Sequence, residues 1–139
     1  MFYVDTSVLI TVFSPETQTT RVLEWLSRNR DASISISDWT ITEFSSAMSL
    51  KIRNSMLIQD DRNQALKVFK EFRESIFECL EVPRGCFIEA ARLSDRHDTS
   101  LRSGDALHMA VAHHYGLTLL TRDKGLAKAA AVIGAQHQW

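Results

Sequence analysis

The sequence predicts an α/β fold in which a short, mostly parallel sheet is covered by helices on both faces. Short apolar runs alternate along the chain with longer segments whose apolar residues recur at helical spacing. The 139 residues fit one compact domain, and 45% hydrophobic with 24% charged residues is an ordinary globular composition. No apolar stretch approaches the roughly 18 residues that would span a bilayer.

The N-terminal segment supplies the first strand and two helices. The apolar run FYVD at 2–5 predicts a short buried strand, and Thr6 or Ser7 could cap the helix that follows it. Pro15 is a favourable first residue for a second helix that would continue to about residue 30. The apolar face of that helix would consist of Val22, Leu23 and Leu26.

A second strand and two long helices follow. The segment SISIS at 33–37 predicts the strand, and Asp38 is expected to cap the helix after it. Apolar residues recur at helical spacing in this helix at Ile41, Phe44, Met48 and Ile52. Residues 60–75 predict a charged helix whose apolar stripe consists of Leu66, Phe69 and Phe72.

The rest of the chain continues the alternation. Strands are predicted at 76–82, 117–121 and, more weakly, 135–138, and helices at 84–97, 103–115 and 124–131. Strands that alternate with helices form parallel sheets with right-handed crossovers. The carboxyl ends of such strands meet at one edge of the sheet, where ligands bind.

Four acidic residues are expected at that edge. Asp5 ends the first strand, and Asp123 follows the strand at 117–121 and precedes a helix. Glu43 lies in the second turn of the helix that leaves the second strand. Asp105 lies in the first turn of a helix that Ser103 could cap. Their placement on one edge predicts a cluster of carboxylates.

Each acid also has an ordinary structural explanation. Asp5 could cap a helix, and Asp105 could complement a helix dipole. Asp123 could be a turn residue in TRDKG, and Glu43 could be a solvated helix residue. It is the convergence of all four on one edge that favours a functional site.

A cluster of four carboxylates needs a counter-charge. Two carboxylates about 4 Å apart repel by about 4 kcal/mol at an effective dielectric constant of about 20. Protons or a hard cation must relieve this repulsion, and oxygen ligands alone suit Mg²⁺ or Mn²⁺. Such an ion could activate a water molecule for hydrolysis of a phosphodiester.

Four segments, in the right order along nearly the whole chain, resemble the PIN-domain ribonucleases, and specifically the VapC-type toxins of bacterial toxin–antitoxin pairs. YVDTSVLI and ISDWTITEFSSA resemble the segments that carry the first acid and the glutamate, here Asp5 and Glu43. LRSGDALHMAVAHHYG and LTLLTRDKGLAKAA resemble the segments that carry Asp105 and Asp123. The resemblance implies a PIN-like three-layer α/β/α sandwich.

The resemblance also implies a site, a cofactor and partners. Asp5, Glu43, Asp105 and Asp123 would be the catalytic and metal-binding residues of a Mg²⁺- or Mn²⁺-dependent endoribonuclease. Thr6, Ser7 and Thr121 would orient the acids. A homodimer silenced by a cognate antitoxin is expected, with Met56 and Leu57 as candidate contacts and a basic antitoxin side chain among the carboxylates.

Several basic residues near the acids are candidates for contact with RNA phosphates: Arg102, Arg122, Lys124 and Lys128. Each could equally be an ordinary solvated charge. His108 follows Asp105 by three residues and is a candidate for packing or for substrate contact. Base stacking on Trp39 is a further alternative. His113 and His114 are adjacent on a helix and point in different directions, which disfavours a shared metal.

Three alternative functions are a phosphatase, a non-catalytic binding module and a serine hydrolase. A phosphatase could use Asp5 as a covalent nucleophile, but haloacid-dehalogenase-like enzymes carry a second aspartate where this chain has Ser7. A non-catalytic binding module would be favoured by the loss of an acid, and none is lost. A serine hydrolase is disfavoured because the chain has no GxSxG segment.

Charge and cysteine usage favour a cytoplasmic protein. The net charge is −1, but residues 84–139 carry 7 basic and 5 acidic side chains, whereas residues 1–83 carry 9 and 12. A polyanion is therefore expected to contact the C-terminal part. The N-terminal segment lacks the basic leader of a signal peptide. Cys79 and Cys86 match no metal or redox motif, and both are expected to pack as small apolar residues.

Overall fold

The computed structural model describes residues 1–14, 19–29 and 31–138. Five short strands are present: β1 (Phe2–Val4), β2 (Ile34–Ser37), β3 (Glu78–Leu80), β4 (Thr118–Leu120) and β5 (His137–Gln138). The helices are α1 (Thr6–Phe13), α2 (Thr19–Arg28), α3 (Asp38–Arg53), α4 (Gln59–Ser75), α5 (Arg84–Ser94), α6 (Ser103–His114) and α7 (Lys124–Ile133). A 3₁₀ turn at His97–Thr99 connects α5 to α6. Every predicted strand and helix is found, with ends shifted by a few residues.

The five strands form one parallel sheet in the order β3-β2-β1-β4-β5. β1 lies at its centre, paired with β2 on one side and β4 on the other. Val4 is in register with Leu120, so β1 and β4 end at the same level of the sheet. The residues that follow these two strands are therefore neighbours, although they are more than a hundred positions apart in sequence.

The sheet separates two hydrophobic cores because successive side chains of a strand point to opposite faces. Tyr3 and Leu119 belong to the core beneath α5, α6 and α7. Val4 and Leu120 belong to the core beneath α1, α2, α3 and α4. Helices therefore cover both faces, and the expected three-layer α/β/α arrangement is confirmed.

The second core contains the apolar stripes predicted for three of its helices. Val22, Phe44 and Met48 are completely buried, and Phe69 is nearly so. The prediction for Leu23 was wrong, because 47% of this residue is exposed. The predicted start of α2 at Pro15 lies outside the described residues.

Helix caps differ from the sequence predictions in three places. The Asp5 side chain, rather than Thr6 or Ser7, caps α1 by accepting a hydrogen bond from the Val8 amide. Ser37 rather than Asp38 caps α3, where it forms a reciprocal pair with Thr40. At α6 the N-cap position is Arg102, which makes no side-chain cap bond, and Ser103 is already helical. In the first two cases the cap is the residue that ends the strand or directly follows it.

Two further observations concern the cysteines and the membrane. Both cysteines are free thiols, and Cys86 is buried as expected. The prediction that Cys79 packs as a small apolar residue was wrong, because Cys79 is exposed on β3, a strand at the edge of the sheet. Among the described residues, no helix has the length and apolar character that crossing a membrane requires.

Candidate active site

Asp5 lies directly after the central strand β1 and is only 3% exposed. Its Oδ1 accepts hydrogen bonds from the Ser7 hydroxyl at 2.6 Å and the Val8 amide at 3.3 Å. Its Oδ2 accepts one from the Thr121 hydroxyl at 2.7 Å. Burial raises the pKa of the Asp5 carboxyl above its usual range, and the nearby His108 and these hydrogen bonds oppose the rise.

The ends of β1 and β4 are joined by a short chain of hydrogen bonds. The Asp5 amide donates to the Leu120 carbonyl at 3.1 Å. Ser7 receives a bond from the Arg122 amide at 2.7 Å, and Thr121 receives one from the Asp123 amide at 3.0 Å. Ser7 and Thr121 therefore each form one hydrogen bond to Asp5 and one to the β4–α7 turn, and so link the two. Such contacts would suit the orienting role expected of these residues.

Asp123 occupies the turn between β4 and α7. Its Oδ1 accepts a hydrogen bond from the Leu126 amide at 2.8 Å, so the residue caps α7. The residue is exposed, unlike Asp5. Asp5 and Asp123 are thus both helix caps, yet both also lie at the same edge of the sheet. Capping a helix does not prevent either residue from binding a ligand, because a carboxylate can accept more than one bond.

Glu43 lies in the second turn of α3 and is half-buried. Its Oε2 is 2.8 Å from Nε2 of His108. Its Oε1 lies against the backbone of Gly104, where an added Cβ would be only 2.8 Å away. Burial would raise the pKa of Glu43, but the hydrogen bond and charge of His108, with a bond from Thr6, outweigh burial and lower it. The His108 contact therefore favours the anionic form of Glu43.

Asp105 lies in the first turn of α6 and is half-buried. Its pKa is raised, first by burial and then by the negative charge of Asp123. Glu43 and Asp5 raise it further, whereas His108 lowers it. The Asp105 carboxyl therefore experiences the charge of all three other acids, which means that the four side chains share one electrostatic environment.

The four acids do not form a ready-made metal cage. In the described part of the chain, no three Asp, Glu, His or Cys side chains converge closely enough to hold an ion as they stand. Their donor chemistry nevertheless fits a hard divalent cation, since all four offer carboxylate oxygens and the negative charges raise the pKa of Asp105. A divalent cation would relieve this repulsion and allow the carboxylates to move closer.

The predicted RNA contacts divide into two groups. Arg102 and Lys124 are exposed beside Asp105 and Asp123, and Lys128 is exposed further along α7. Arg122 is half-buried in the β4–α7 turn. His108 is only 1% exposed, so the structure supports the packing alternative for it and not direct contact with RNA.

A buried network around His108 was not anticipated. Nδ1 of His108 is 2.9 Å from the Tyr3 hydroxyl, which also contacts Ser37 Oγ at 2.7 Å and Thr40 Oγ1 at 3.2 Å. Thr6 Oγ1 lies 3.4 Å from Nε2 of His108. Burial raises the pKa of Tyr3 well above its usual value, so it remains a phenol. The sequence signal of this network is a tyrosine, with its polar hydroxyl, within a buried strand that is otherwise apolar.

A groove of about 500 Å³ opens beside the acids between α5 and α6. Its walls include Phe87, 54% of which is exposed, together with Trp39 and Gly104. The indole Nε1 of Trp39 is buried and has no hydrogen-bond partner among the described residues. Gly104 relates the groove to the acids, because it lies close to Oε1 of Glu43 and directly precedes Asp105.

Comparison with solved structures supports the fold assignment. FitAcB from Neisseria gonorrhoeae is similar at 23% identity and a TM-score of 0.71, with 99% of this chain and 96% of that chain covered. The Sarcin-Ricin loop cleaving toxin VapC20 from Mycobacterium tuberculosis is 17% identical, with a TM-score of 0.71 and coverages of 93% and 95%. A toxin–antitoxin complex from Klebsiella pneumoniae matches at 21% identity and a TM-score of 0.61, with 91% of each chain covered.

Comparison at the level of sequence identifies the family. No curated protein gives a significant sequence match. The PIN domain family, in contrast, matches residues 2–132, which include all four acids. The parallel sheet and the helices on both of its faces agree with that match. This chain belongs to the PIN domain family.

Proposed function

We propose that this protein is a Mg²⁺- or Mn²⁺-dependent endoribonuclease and the toxin of a toxin–antitoxin pair. The observation that carries the proposal is the placement of the four acids: Asp5 and Asp123 follow the adjacent parallel strands β1 and β4, and Glu43 and Asp105 lie in the first two turns of α3 and α6. Such a cluster in a PIN-family chain suits phosphodiester hydrolysis. The similarity in fold to a toxin that cleaves the Sarcin-Ricin loop supports RNA as the substrate class.

In this proposal the four acids hold the cofactor. Asp5, Glu43, Asp105 and Asp123 would be its ligands, and the ion would supply charge for activating water and for stabilising the negative charge that develops at phosphorus. Ser7 and Thr121 hold the two oxygens of Asp5 in place. Because Asp5 is buried and bonded on both oxygens, its position is set before any ligand binds.

The basic residues beside the acids would bind the substrate. Arg102 and Lys124 are exposed next to Asp105 and Asp123 and would contact phosphates that flank the scissile bond. Arg122 lies in the same turn as Asp123 and is a weaker candidate because it is half-buried. These cations also offset the repulsion between the RNA and the acidic cluster.

The ends of the cleaved RNA test this mechanism. Attack by water in line with the departing 3′-oxygen leaves a 5′-phosphate and a free 3′-hydroxyl. The 2′-hydroxyl is then not a reactant, so one 2′-deoxy substitution at the scissile position should slow cleavage only modestly. Asp105→Asn should be nearly inactive, and excess EDTA should abolish cleavage. A 2′,3′-cyclic phosphate product formed by an active Asp105→Asn variant would overturn the proposal.

The structure weighs against the phosphatase alternative. A covalent nucleophile needs a free oxygen that can reach phosphorus, but Asp5 is only 3% exposed and both its oxygens accept hydrogen bonds. Failure to trap a phospho-aspartate would support this reasoning. A non-catalytic binding module would bind RNA without cutting it, and the cleavage assay separates that alternative as well.

We also propose an antitoxin partner and a homodimer. The apolar residues Leu50, Met56 and Ile58, at the junction of α3 and α4, are 48% to 67% exposed and offer a contact surface. Leu57, in contrast, packs against the core, so it is a poorer candidate than the sequence suggested. The antitoxin would also place a basic side chain among the carboxylates, as the toxin–antitoxin fold match encourages. An inhibited complex in which the four carboxylates remain uncovered would contradict this. Analytical sedimentation of the purified chain would test the homodimer. An RNA target and an antitoxin partner would also imply a cytoplasmic location.

A further inference from the structure

His108 is a buried histidine in direct contact with one of the four acids. It is 1% exposed and lies on α6, one turn after Asp105. Its Nε2 lies 2.8 Å from Oε2 of Glu43, and its Nδ1 lies 2.9 Å from the Tyr3 hydroxyl. Both ring nitrogens are therefore engaged, and neither is available to solvent.

The direction of the bond to Glu43 follows from its partners. An ionised carboxylate can only accept hydrogen bonds, so Nε2 of His108 carries the hydrogen and donates it. On a neutral ring, Nδ1 must then accept from the Tyr3 hydroxyl, and that hydroxyl can accept in turn from Ser37. Glu43 thus selects the tautomer, and the Tyr3 contact at Nδ1 fixes the orientation of the ring that points this donor at Glu43.

The other oxygen of Glu43 is confined by the start of α6. Oε1 lies so close to Gly104 that a Cβ added there would approach it to 2.8 Å, and the Trp39 ring would lie 3.3 Å from the same position. Glu43 is thereby held by hydrogen bonds from His108 and Thr6 and is confined at Oε1 by packing. Three distant parts of the chain, β1, α3 and α6, combine to fix one side chain.

We propose that His108 is a positioning residue for Glu43 and that Tyr3 holds the His108 ring in the orientation this requires. The proposal rests on the proposed function, in which Glu43 is one of the acids that hold the metal ion. A free glutamate on a helix samples several rotamers, and ordering it on binding costs affinity. Groups that orient metal ligands in this way typically affect metal affinity or activity by about 10- to 100-fold.

Substitutions at position 108 separate positioning from packing. His108→Leu keeps an apolar side chain of similar size and removes the donor. His108→Gln places an amide nitrogen near the position of Nε2 and keeps the donor. We expect His108→Leu to weaken Mn²⁺ binding and RNA cleavage by about 10- to 100-fold and His108→Gln to recover most of both. Tyr3→Phe should give a loss no larger than the low end of that range, about 10-fold, because the His108 ring keeps its packing but loses the hydrogen bond at Nδ1 that fixes its orientation.

The measurements use the whole purified chain. Mn²⁺ affinity is read by calorimetry, independently of cleavage, and the fold of each variant is checked by circular dichroism and melting temperature. Two surface variants serve as controls. His113→Leu alters an exposed histidine on the same helix, and Tyr115→Phe removes an exposed hydroxyl that donates to the Glu81 carbonyl at 3.1 Å. Both should match the unmodified protein.

The outcomes decide the proposal in each case. A folded His108→Leu variant with unchanged Mn²⁺ affinity overturns it. Equal losses for the leucine and glutamine variants also overturn it, since that pattern indicates packing alone. If His108→Leu does not fold, Tyr3→Phe decides, and unchanged Mn²⁺ affinity and cleavage in that variant reject the proposal. A failure of the proposed function is seen separately: the unmodified protein would then cleave no RNA, while the order of Mn²⁺ affinities would still report on His108.

Discussion

Replacing Gly104 with alanine should damage the site through a single added methyl group. The added Cβ would lie 2.8 Å from Oε1 of Glu43 and 3.3 Å from Cζ2 of Trp39. Contacts under 3.4 Å are already tight, so the Glu43 oxygen would have to retreat by about 0.6 Å, the difference between 3.4 and 2.8 Å. A displacement of that order at a reacting centre can cost on the order of 10- to 100-fold in rate.

Gly85 offers a matched control for this substitution. It is the second residue of α5, as Gly104 is of α6, and a Cβ added at Gly85 meets no atom within 4 Å. Gly85→Ala should therefore gain up to about 0.5–1 kcal/mol from helix propensity, or roughly 2–4 °C in melting temperature. Gly104→Ala should receive the same gain but lose about 1–3 kcal/mol to overpacking.

The assay compares the two variants for melting temperature, Mn²⁺ affinity and RNA cleavage. Gly85→Ala should be at least as stable as the unmodified protein and fully active. Gly104→Ala should be unchanged or destabilised by up to about 2 kcal/mol, with cleavage reduced far more than its stability would explain. A Gly104→Ala protein that matches Gly85→Ala in all three measurements would show that the close approach to Glu43 is unimportant.

Three further predictions follow from the acidic cluster. Saturating Mn²⁺, at about 100 times its dissociation constant, should stabilise the protein by about 2.7 kcal/mol in thermal unfolding. Asp105→Asn should lose most of this gain, and an equal Mn²⁺-induced stabilisation of the variant and the unmodified protein would contradict the metal site. Because the pKa values of Asp5 and Asp105 are raised in the folded state, that state holds protons that the unfolded chain has released, so the stability of the metal-free protein should fall as the pH rises above about 4, the pKa of an unfolded aspartate. Urea unfolding from about pH 4 upwards measures this, and a flat profile would refute it. Thr121→Val removes the donor to Asp5 and the acceptor for the Asp123 amide, so it should lower the free energy of unfolding by about 1–3 kcal/mol and reduce cleavage. Thr118→Val, on the same strand, should do neither, and equal effects of the two variants in these assays would refute the role of Thr121.

The predicted elements agreed with the structure because their signals are local. Apolar periodicity and strand-to-helix alternation depend on residues close together in sequence, and they located each strand and helix within a few positions. The ends were less accurate because caps depend on competing polar side chains. At the start of α1, Asp5 is the cap although Thr6 and Ser7 could also serve, and only the chain path after β1 decides between them.

The sequence by itself determined the fold class and predicted that the four acids lie at one edge of the sheet. A parallel α/β sheet brings the carboxyl ends of its strands to one edge, so Asp5 and Asp123 had to be neighbours once β1 and β4 were adjacent. The four segments that resemble PIN-domain proteins carry the same four acids. The family match over residues 2–132 confirmed this resemblance.

Only the tertiary structure decided how the acids are held. Tyr3 and His108 are 105 positions apart, and Glu43 is 65 positions from His108, so no local pattern links them. Their contacts depend on how α3 and α6 pack against β1, and this packing also buries His108 and brings Gly104 against Glu43. Hydrogen bonds and close approaches require atoms to be placed to within a fraction of an ångström, which chain order and periodicity do not specify.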